Sequence, residues 1–180
     1  MKKIIIIVSI FTIPFCFSQK VITRSGEIKF EASMPAFEEV AAVNKTVSAI
    51  LDTSNGDFVA LALVKAFKFK VPLMEEHFNE NYIESSSFPK ATFKGKITNF
   101  NISKISATKT TFDMEGDLMI HGVTKKINTK VVLYLTGKKI NASSSFSVKP
   151  KDYAIEIPSL VKGKIANTVT ITYEFTLEPK

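Results

Sequence analysis

The sequence predicts an all-β, antiparallel domain interrupted by one short helix. Three observations lead there. Residues 21–33, 45–51, 57–71, 91–102, 107–121, 125–136, 139–149 and 168–178 alternate apolar with polar side chains, the period of a strand with one dry face and one wet face. Turn chemistry falls between the runs, at Asn55-Gly56-Asp57, Gly122 and Gly137. Only one stretch carries a clear helical stripe: Met74, Phe78 and Tyr82 recur at i, i+4 and i+8. A sheet built from so many one-sided strands must cover its apolar face, either by closing into a barrel or by folding into a sandwich. A barrel of about eight strands is just wide enough inside for side chains or for one slender ligand.

The chain opens on Met1-Lys2-Lys3, then an apolar run over 4–17, then Ser18-Gln19. That pattern predicts a secretory signal peptide over 1–18, cut near Ser18, and an exported protein, periplasmic or secreted. The run is shorter than the ~20 apolar residues of a membrane-spanning helix, so an uncleaved anchor is the weaker reading. Cys16 raises a lipoprotein alternative, disfavoured by the bulky Phe15 before it. Cys16 is the only cysteine. Its loss with the leader leaves a mature domain, 19–180, without disulfide, thiolate metal ligand or thiol nucleophile. That length fits one domain.

Without Lys2 and Lys3 the formal charge falls from +7 to +5. The lysines alternate with apolar residues, as at Lys68/Lys70, Lys94/Lys96 and Lys126/Lys130, which spreads them over an outer face. A nucleic-acid surface wants clustered Arg and Lys with stacking aromatics, and Arg24 is the sole arginine. A solvated face is the expected role, with a transient preference for an anionic membrane surface kept open.

Along the chain, Ile28, Phe30 and Ala32 share a face, as do Val47 and Ala49. Residues 37–41 read as one helical turn after Pro35. The run 57–71 reads as one long strand with Val59, Leu61, Leu63, Phe67, Phe69 and Val71 facing one way, and Lys65 on the same parity. Lys65 is either turned out by a bulge near Ala66 or kept as a polar handle for a ligand head group. Pro72 stops the ladder because it has no N–H to give. A helix is expected over about 73–83, with Glu75 and Glu76 in its positive first turn and an end before Pro89. Phe93 and Ile97 then oppose Lys94 and Lys96. Phe112, Met114, Leu118 and Ile120 oppose Thr111, Asp113, Glu115 and Asp117. Ile140, Phe146 and Val148 form the inner face of 139–149; Val169, Ile171, Tyr173, Phe175 and Leu177 that of 168–178.

Little here carries chemistry. His77 and His121 are far apart and lack partners at metal-ligand spacing. His77 reads as a packing or capping residue, and His121 as tied to a turn or a carbonyl. There is no nucleophile elbow and no glycine-rich phosphate loop. The adjacent pairs Glu38/Glu39 and Glu75/Glu76 point apart on a helix. No enzyme, no cofactor and no metal site is expected.

Three motifs carry a resemblance. Leu73-Met74-Glu75-Glu76-His77-Phe78-Asn79-Glu80-Asn81-Tyr82 with Phe88-Pro89-Lys90-Ala91-Thr92-Phe93-Lys94-Gly95 comes first. Gly116-Asp117-Leu118-Met119-Ile120-His121-Gly122-Val123-Thr124-Lys125 and Asp152-Tyr153-Ala154-Ile155-Glu156-Ile157-Pro158 follow, the last read as a strand. Together they resemble the YceI-like family, with Met119 departing from its usual small or β-branched residue. The resemblance implies a single antiparallel, lipocalin-like β-barrel of about eight strands that holds a long isoprenoid-type lipid or other amphiphile and has no catalytic residues.

On that footing the expected cavity lining is Leu63, Phe67 and Phe69 before the helix; Met74, Phe78 and Tyr82 on it; Phe93, Phe112, Leu118, Ile120 and Phe146 on the following strands; and Tyr153, Ile157 and Phe175. Lys65 and His121 are the head-group candidates. The expected partner is an apolar lipid: a polyprenyl chain, a prenylated quinone or a fatty-acyl amphiphile. Oligomeric state is left open, a dimer included. A filled-core interaction module of the cell envelope remains the chief alternative, because the same residue types fill a core and line a tunnel. An enzyme acting on a lipid ranks below it.

Overall fold

The computed structural model describes residues 19–35, 37–159 and 161–180; the expected leader, 1–18, lies outside them. Nine strands are present among the described residues: β1 Lys20–Ser33, β2 Ala41–Asp52, β3 Asp57–Leu63, β4 Lys68–Phe69, β5 Lys90–Ile97, β6 Thr110–Ile120, β7 Val123–Thr136, β8 Lys139–Val148 and β9 Ile165–Pro179. Every pairing is antiparallel. The order β1-β9-β8-β7-β6-β5-β3-β2 closes on itself through β1 with β2. The eight long strands therefore form a closed up-and-down barrel, and β4 is a stub on β2. Closure removes the exposed edges that an open sheet would leave. Between β4 and β5 lies α1, Pro72–His77, continued by a π-helical turn over Phe78–Tyr82.

Strand β2 keeps its dry face through a slip. Ala42 and Asn44 point in, then Val47, Ala49 and Leu51, while Lys45 and Thr46 both face out. The register to β1 shifts there, with Gly26 opposite Val47 and Ile28 opposite Asn44, so β2 carries one extra residue. Asn44 is fully buried and hydrogen-bonded through both its amide nitrogen and its carbonyl oxygen. Its amide donates to Leu63 O at 3.0 Å, and its carbonyl oxygen accepts from Thr46 N and Thr46 Oγ1, each at 2.9 Å. Gly26 is required for packing: a Cβ there would lie 2.4 Å from the Phe175 ring.

The run 57–71 departs from expectation. It is no single strand: a 3-10 turn at Val64–Ala66 separates β3 from β4. Within β3 the inward set is Phe58, Ala60 and Ala62, while Val59 and Leu63 are 40% and 48% exposed. Leu63 therefore leaves the expected lining. The turn resets the parity, so Val64 and then Phe67 are both buried. It also carries Lys65 to the surface, which removes it as an interior handle. The helical turn expected at 37–41 is absent among the described residues, where Ala41 already begins β2. The expected strand at 152–158 is instead the end of a 3-10 turn, Pro150–Tyr153, followed by unpaired chain. Ala154, at φ 54°, makes the break.

The barrel's two ends differ. At the end holding the N-terminus of β1 and the C-terminus of β9, Val21, Leu51, Ile97, Leu133, Ile140 and Leu177 form a closed core in which Leu51, Leu133 and Leu177 have no exposed surface. The opposite end is capped by α1 together with Ile155, Ile157 and Val161 from the chain between β8 and β9.

Candidate functional site

Under that cap lies a cavity of about 360 Å³, within the range of small-molecule sites. Its wall is almost wholly apolar. Ile28, Phe30 and Ala32 contribute from β1; Ala60 and Ala62 from β3; Phe93 from β5; Leu118 and Ile120 from β6; Phe146 and Val148 from β8; Val169 and Ile171 from β9. Alanines at four places (32, 60, 62 and 91) leave the room that a larger side chain would fill. The floor is aromatic: Phe58, Tyr173 and Phe175 stack, with Tyr173 and Phe175 centroids 4.6 Å apart and each 6.2 Å from Phe58. Phe93 can lie across the wall because Gly95 and Gly116 face each other beneath its ring. A Cβ on either would meet that ring at 2.4 and 2.7 Å.

The helical cap is bound by rings and by a carboxylate. Phe78 sits 5.3 Å from Phe30, 5.2 Å from Phe69 and 6.2 Å from Phe67. Glu75 pairs with Lys68 and accepts Phe69 N–H at 3.2 Å, tying α1 to β4. The Lys68 hydrogen bond holds the Glu75 carboxyl below its ordinary value against the cost of desolvation, with the Phe69 amide and the Lys68 charge adding to it. Lys70 and Glu39 make a second strap from the same region to the chain before β2; it lowers the Glu39 carboxyl and raises the Lys70 ammonium.

Of the residues singled out in the sequence, Phe67, Phe69, Met74, Phe78, Tyr82, Phe93, Leu118, Ile120, Phe146, Tyr153, Ile157 and Phe175 lie on the cavity wall. Four lie elsewhere. Leu63 and Lys65 face out, for the reason given above. Phe112 faces in but at the closed end, 6.4 Å from Phe100. His121 sits behind the wall, not on it. It occupies the β6–β7 turn with φ 50°, next to Gly122 at φ 73°, the two-residue geometry of a tight hairpin. Its Nδ1 bonds Tyr153 O at 3.1 Å, its ring meets Phe88 edge-on at 4.2 Å, and its Nε2 is 3.6 Å from Glu84 Oε2. The histidine thus pins the 3-10 turn that presents Tyr153. Burial, followed by the Asp152 charge, pushes the Tyr153 phenol up.

Phe30, Phe58, Thr129, Ile171 and Tyr173 also line the cavity and were not picked out. Ile171 and Tyr173 share the parity of Phe175, and Phe30 that of Ile28 and Ala32, so alternation alone is the signal for them. Thr129 and Tyr173 bring the hydroxyls of the deep wall. Burial pushes the Tyr173 phenol up; the nearby Ser144 hydroxyl offsets this only in part. Among the described residues no group of three or more His, Cys, Asp or Glu is placed to hold a metal, and no helix is long and apolar enough to cross a membrane.

Comparison with known proteins places this geometry. The solved structure of a polyisoprenoid-binding domain from Saccharophagus degradans, implicated in plant cell wall breakdown, is 15% identical. It aligns over 90% of this chain and 99% of its own, with a TM-score of 0.78. Burkholderia cenocepacia BcnA is 15% identical over 84% of this chain and 95% of its own, TM-score 0.69. A Campylobacter jejuni YceI protein is 17% identical over 74% and 82%, TM-score 0.57. At these identities the likeness is one of fold. No curated protein matches the chain in sequence. The profile of the YceI-like domain matches residues 19–177, nearly the whole barrel, and the chain belongs to the YceI-like family.

Proposed function

We propose that this protein is an exported carrier that holds one long apolar chain in the capped half of its barrel. The observation that carries the reading is the cavity itself: closed below by packed side chains, walled by aliphatic and aromatic groups, and covered by a short helix. Burial does the binding. Each methylene removed from water contributes roughly 0.8 kcal/mol, so a polyprenyl, prenylated quinone or fatty-acyl chain gains affinity along its length without a specific polar contact. The polyisoprenoid-binding domain that shares the fold supports the same ligand class. The leader-like residues 1–18 support export. Exposed Lys149, Lys151, Lys162 and Lys164 on the segments bordering the mouth support transient contact with an anionic membrane during loading. The almost wholly apolar wall supports a role in binding.

The test is to express the full chain, recover it from the exported fraction, extract it with organic solvent and identify co-purifying lipid by mass spectrometry. A stoichiometric prenyl or acyl lipid is expected. An empty protein that also refuses added prenyl lipids would overturn the reading and leave the cavity as a feature of fold.

A further inference from the structure

The deep wall is apolar except around one phenol. Tyr173 lies on β9, on the inward parity it shares with Ile171 and Phe175, and is 7% exposed. Stacking on Phe175 and beside Phe58 fixes the plane of its ring. Its hydroxyl has no hydrogen-bond partner among the described residues. The Ser144 hydroxyl is close enough to draw the phenol's titration down in part, but not in the geometry of a hydrogen bond. Ser144, its Cα partner across the β8–β9 pair, donates its single hydroxyl proton to Lys130 O at 2.6 Å. Thr129, on the cavity wall, lies 3.2 Å from Ser144 Oγ. With the Ser144 proton spent, Thr129 is the donor in that contact. A buried hydroxyl left unpaired is costly, and phenylalanine would fill the same space without the cost. The phenol O–H, on a residue of the cavity wall, is thus open to a partner that arrives from the cavity.

We propose that the Tyr173 hydroxyl donates a hydrogen bond to a neutral acceptor oxygen at the leading end of the bound chain, a carbonyl, hydroxyl or ether on an otherwise apolar molecule. This rests on the carrier reading, whose ligand it specifies. The oxygen is neutral because Tyr173 sits against Phe58 and Phe175 in an almost wholly apolar wall, and a buried charge without a partner is far costlier than a buried dipole. Phosphates and carboxylates are thereby confined to the mouth, where Lys164 is found. The oxygen is at the leading end because the packed core around Leu51 and Leu177 begins below the floor and stops the chain. Burial keeps the phenol protonated, and so a donor, throughout the physiological range.

The experiment compares two probes on the mature chain: geranylgeraniol, and the hydrocarbon of the same skeleton without its oxygen. Each competes against a neutral fluorescent probe bound in the cavity. The wild type is expected to bind the alcohol about tenfold more tightly than the hydrocarbon. Tyr173→Phe is expected to lose the preference for the alcohol, whose hydroxyl is then buried without a partner, so that it binds more weakly than the hydrocarbon, and to show a raised ligand-free Tm. Equal binding of the two probes by the wild type, or the preference for the alcohol retained in Tyr173→Phe, overturns the proposal while the carrier reading stands. If neither probe binds, the carrier reading falls with it. A measurement that needs no variant is the carbonyl stretch of a bound C20 prenyl ketone. A shift below its value in hexane is expected, and an unshifted band overturns the proposal.

Discussion

At Val59, Leu61 and Leu63 size and position point opposite ways. The stretch Phe58-Val59-Ala60-Leu61-Ala62-Leu63 is apolar on both faces, so alternation carries no information there, and a one-residue slip exchanges every side chain. Choosing the larger set as the inner one is reasonable by hydrophobicity and wrong by packing. The pairing Leu51 to Phe58 and Ala49 to Ala60 puts Phe58 against the floor and small alanines against the cavity. Where polar residues mark the outer face, as in β6 and β9, the inner face was legible throughout. Lys65 was ambiguous for the same reason as Leu63: a three-residue turn, invisible to periodicity, sits between two strands that each look regular. Phe58→Ala should therefore cost about 3–5 kcal/mol, whereas Leu63→Gln should stay within about 0.5 kcal/mol, both read from urea unfolding. The opposite order of costs would restore the inner set chosen by size.

Elements show a second limit of the sequence. The stripe Met74, Phe78, Tyr82 located the helix and its inner face, and alternation located all eight barrel strands and the inner face of all but β3. Neither says at what height along the barrel a residue lies, which is why Phe112 points inward but belongs to the closed core, and why His121 reaches a backbone carbonyl behind the wall. The helix also shows how little an isolated element stands on. Six α-helical residues and one π turn are far too few to persist alone, so the cap depends on Phe78 and the Glu75 strap. Phe78→Ala should raise amide exchange across 74–82 by about tenfold, equal to about 1.4 kcal/mol of local opening, with a smaller effect on the strands. The strap has a pH sign. Glu75 is held below its ordinary carboxyl value of 4.5 when the helix is docked, so docking is favoured above that pH and the contribution is lost as pH falls through the depressed value. Exchange across 74–82, corrected for intrinsic rates, should be level from neutral pH down to the ordinary carboxyl range and rise below it. Glu75→Gln should remove that acid step except for the share carried by Glu39 with Lys70. An acid step undiminished in Glu75→Gln would assign the whole of it to the second strap.

For the whole molecule, the choice between a packed core and an open tunnel was undecidable from residue types, and the structure answers that the barrel is both. One half is filled by Leu51, Ile97, Leu133 and Leu177; the other is hollowed by alanines under a tethered cap. The division separates two demands that conflict in a single space, because close packing stabilises a fold and an open interior forgoes those contacts. It follows that stability and capacity should respond to different substitutions. Leu133→Ala, in the closed half, should cost about 2–5 kcal/mol and leave the amount of bound lipid unchanged at temperatures where the variant is folded. Ala62→Phe, in the hollow half, should do the reverse. Its ring enters empty space, so the folded state loses little, while the longest chain the protein retains becomes shorter. The pair is read by urea midpoints together with the chain-length profile of lipids recovered after loading with a mixture. If Ala62→Phe unfolds the protein without changing the length profile, the upper half is a core after all; if Leu133→Ala lengthens the retained chains, the ligand reaches below the aromatic floor.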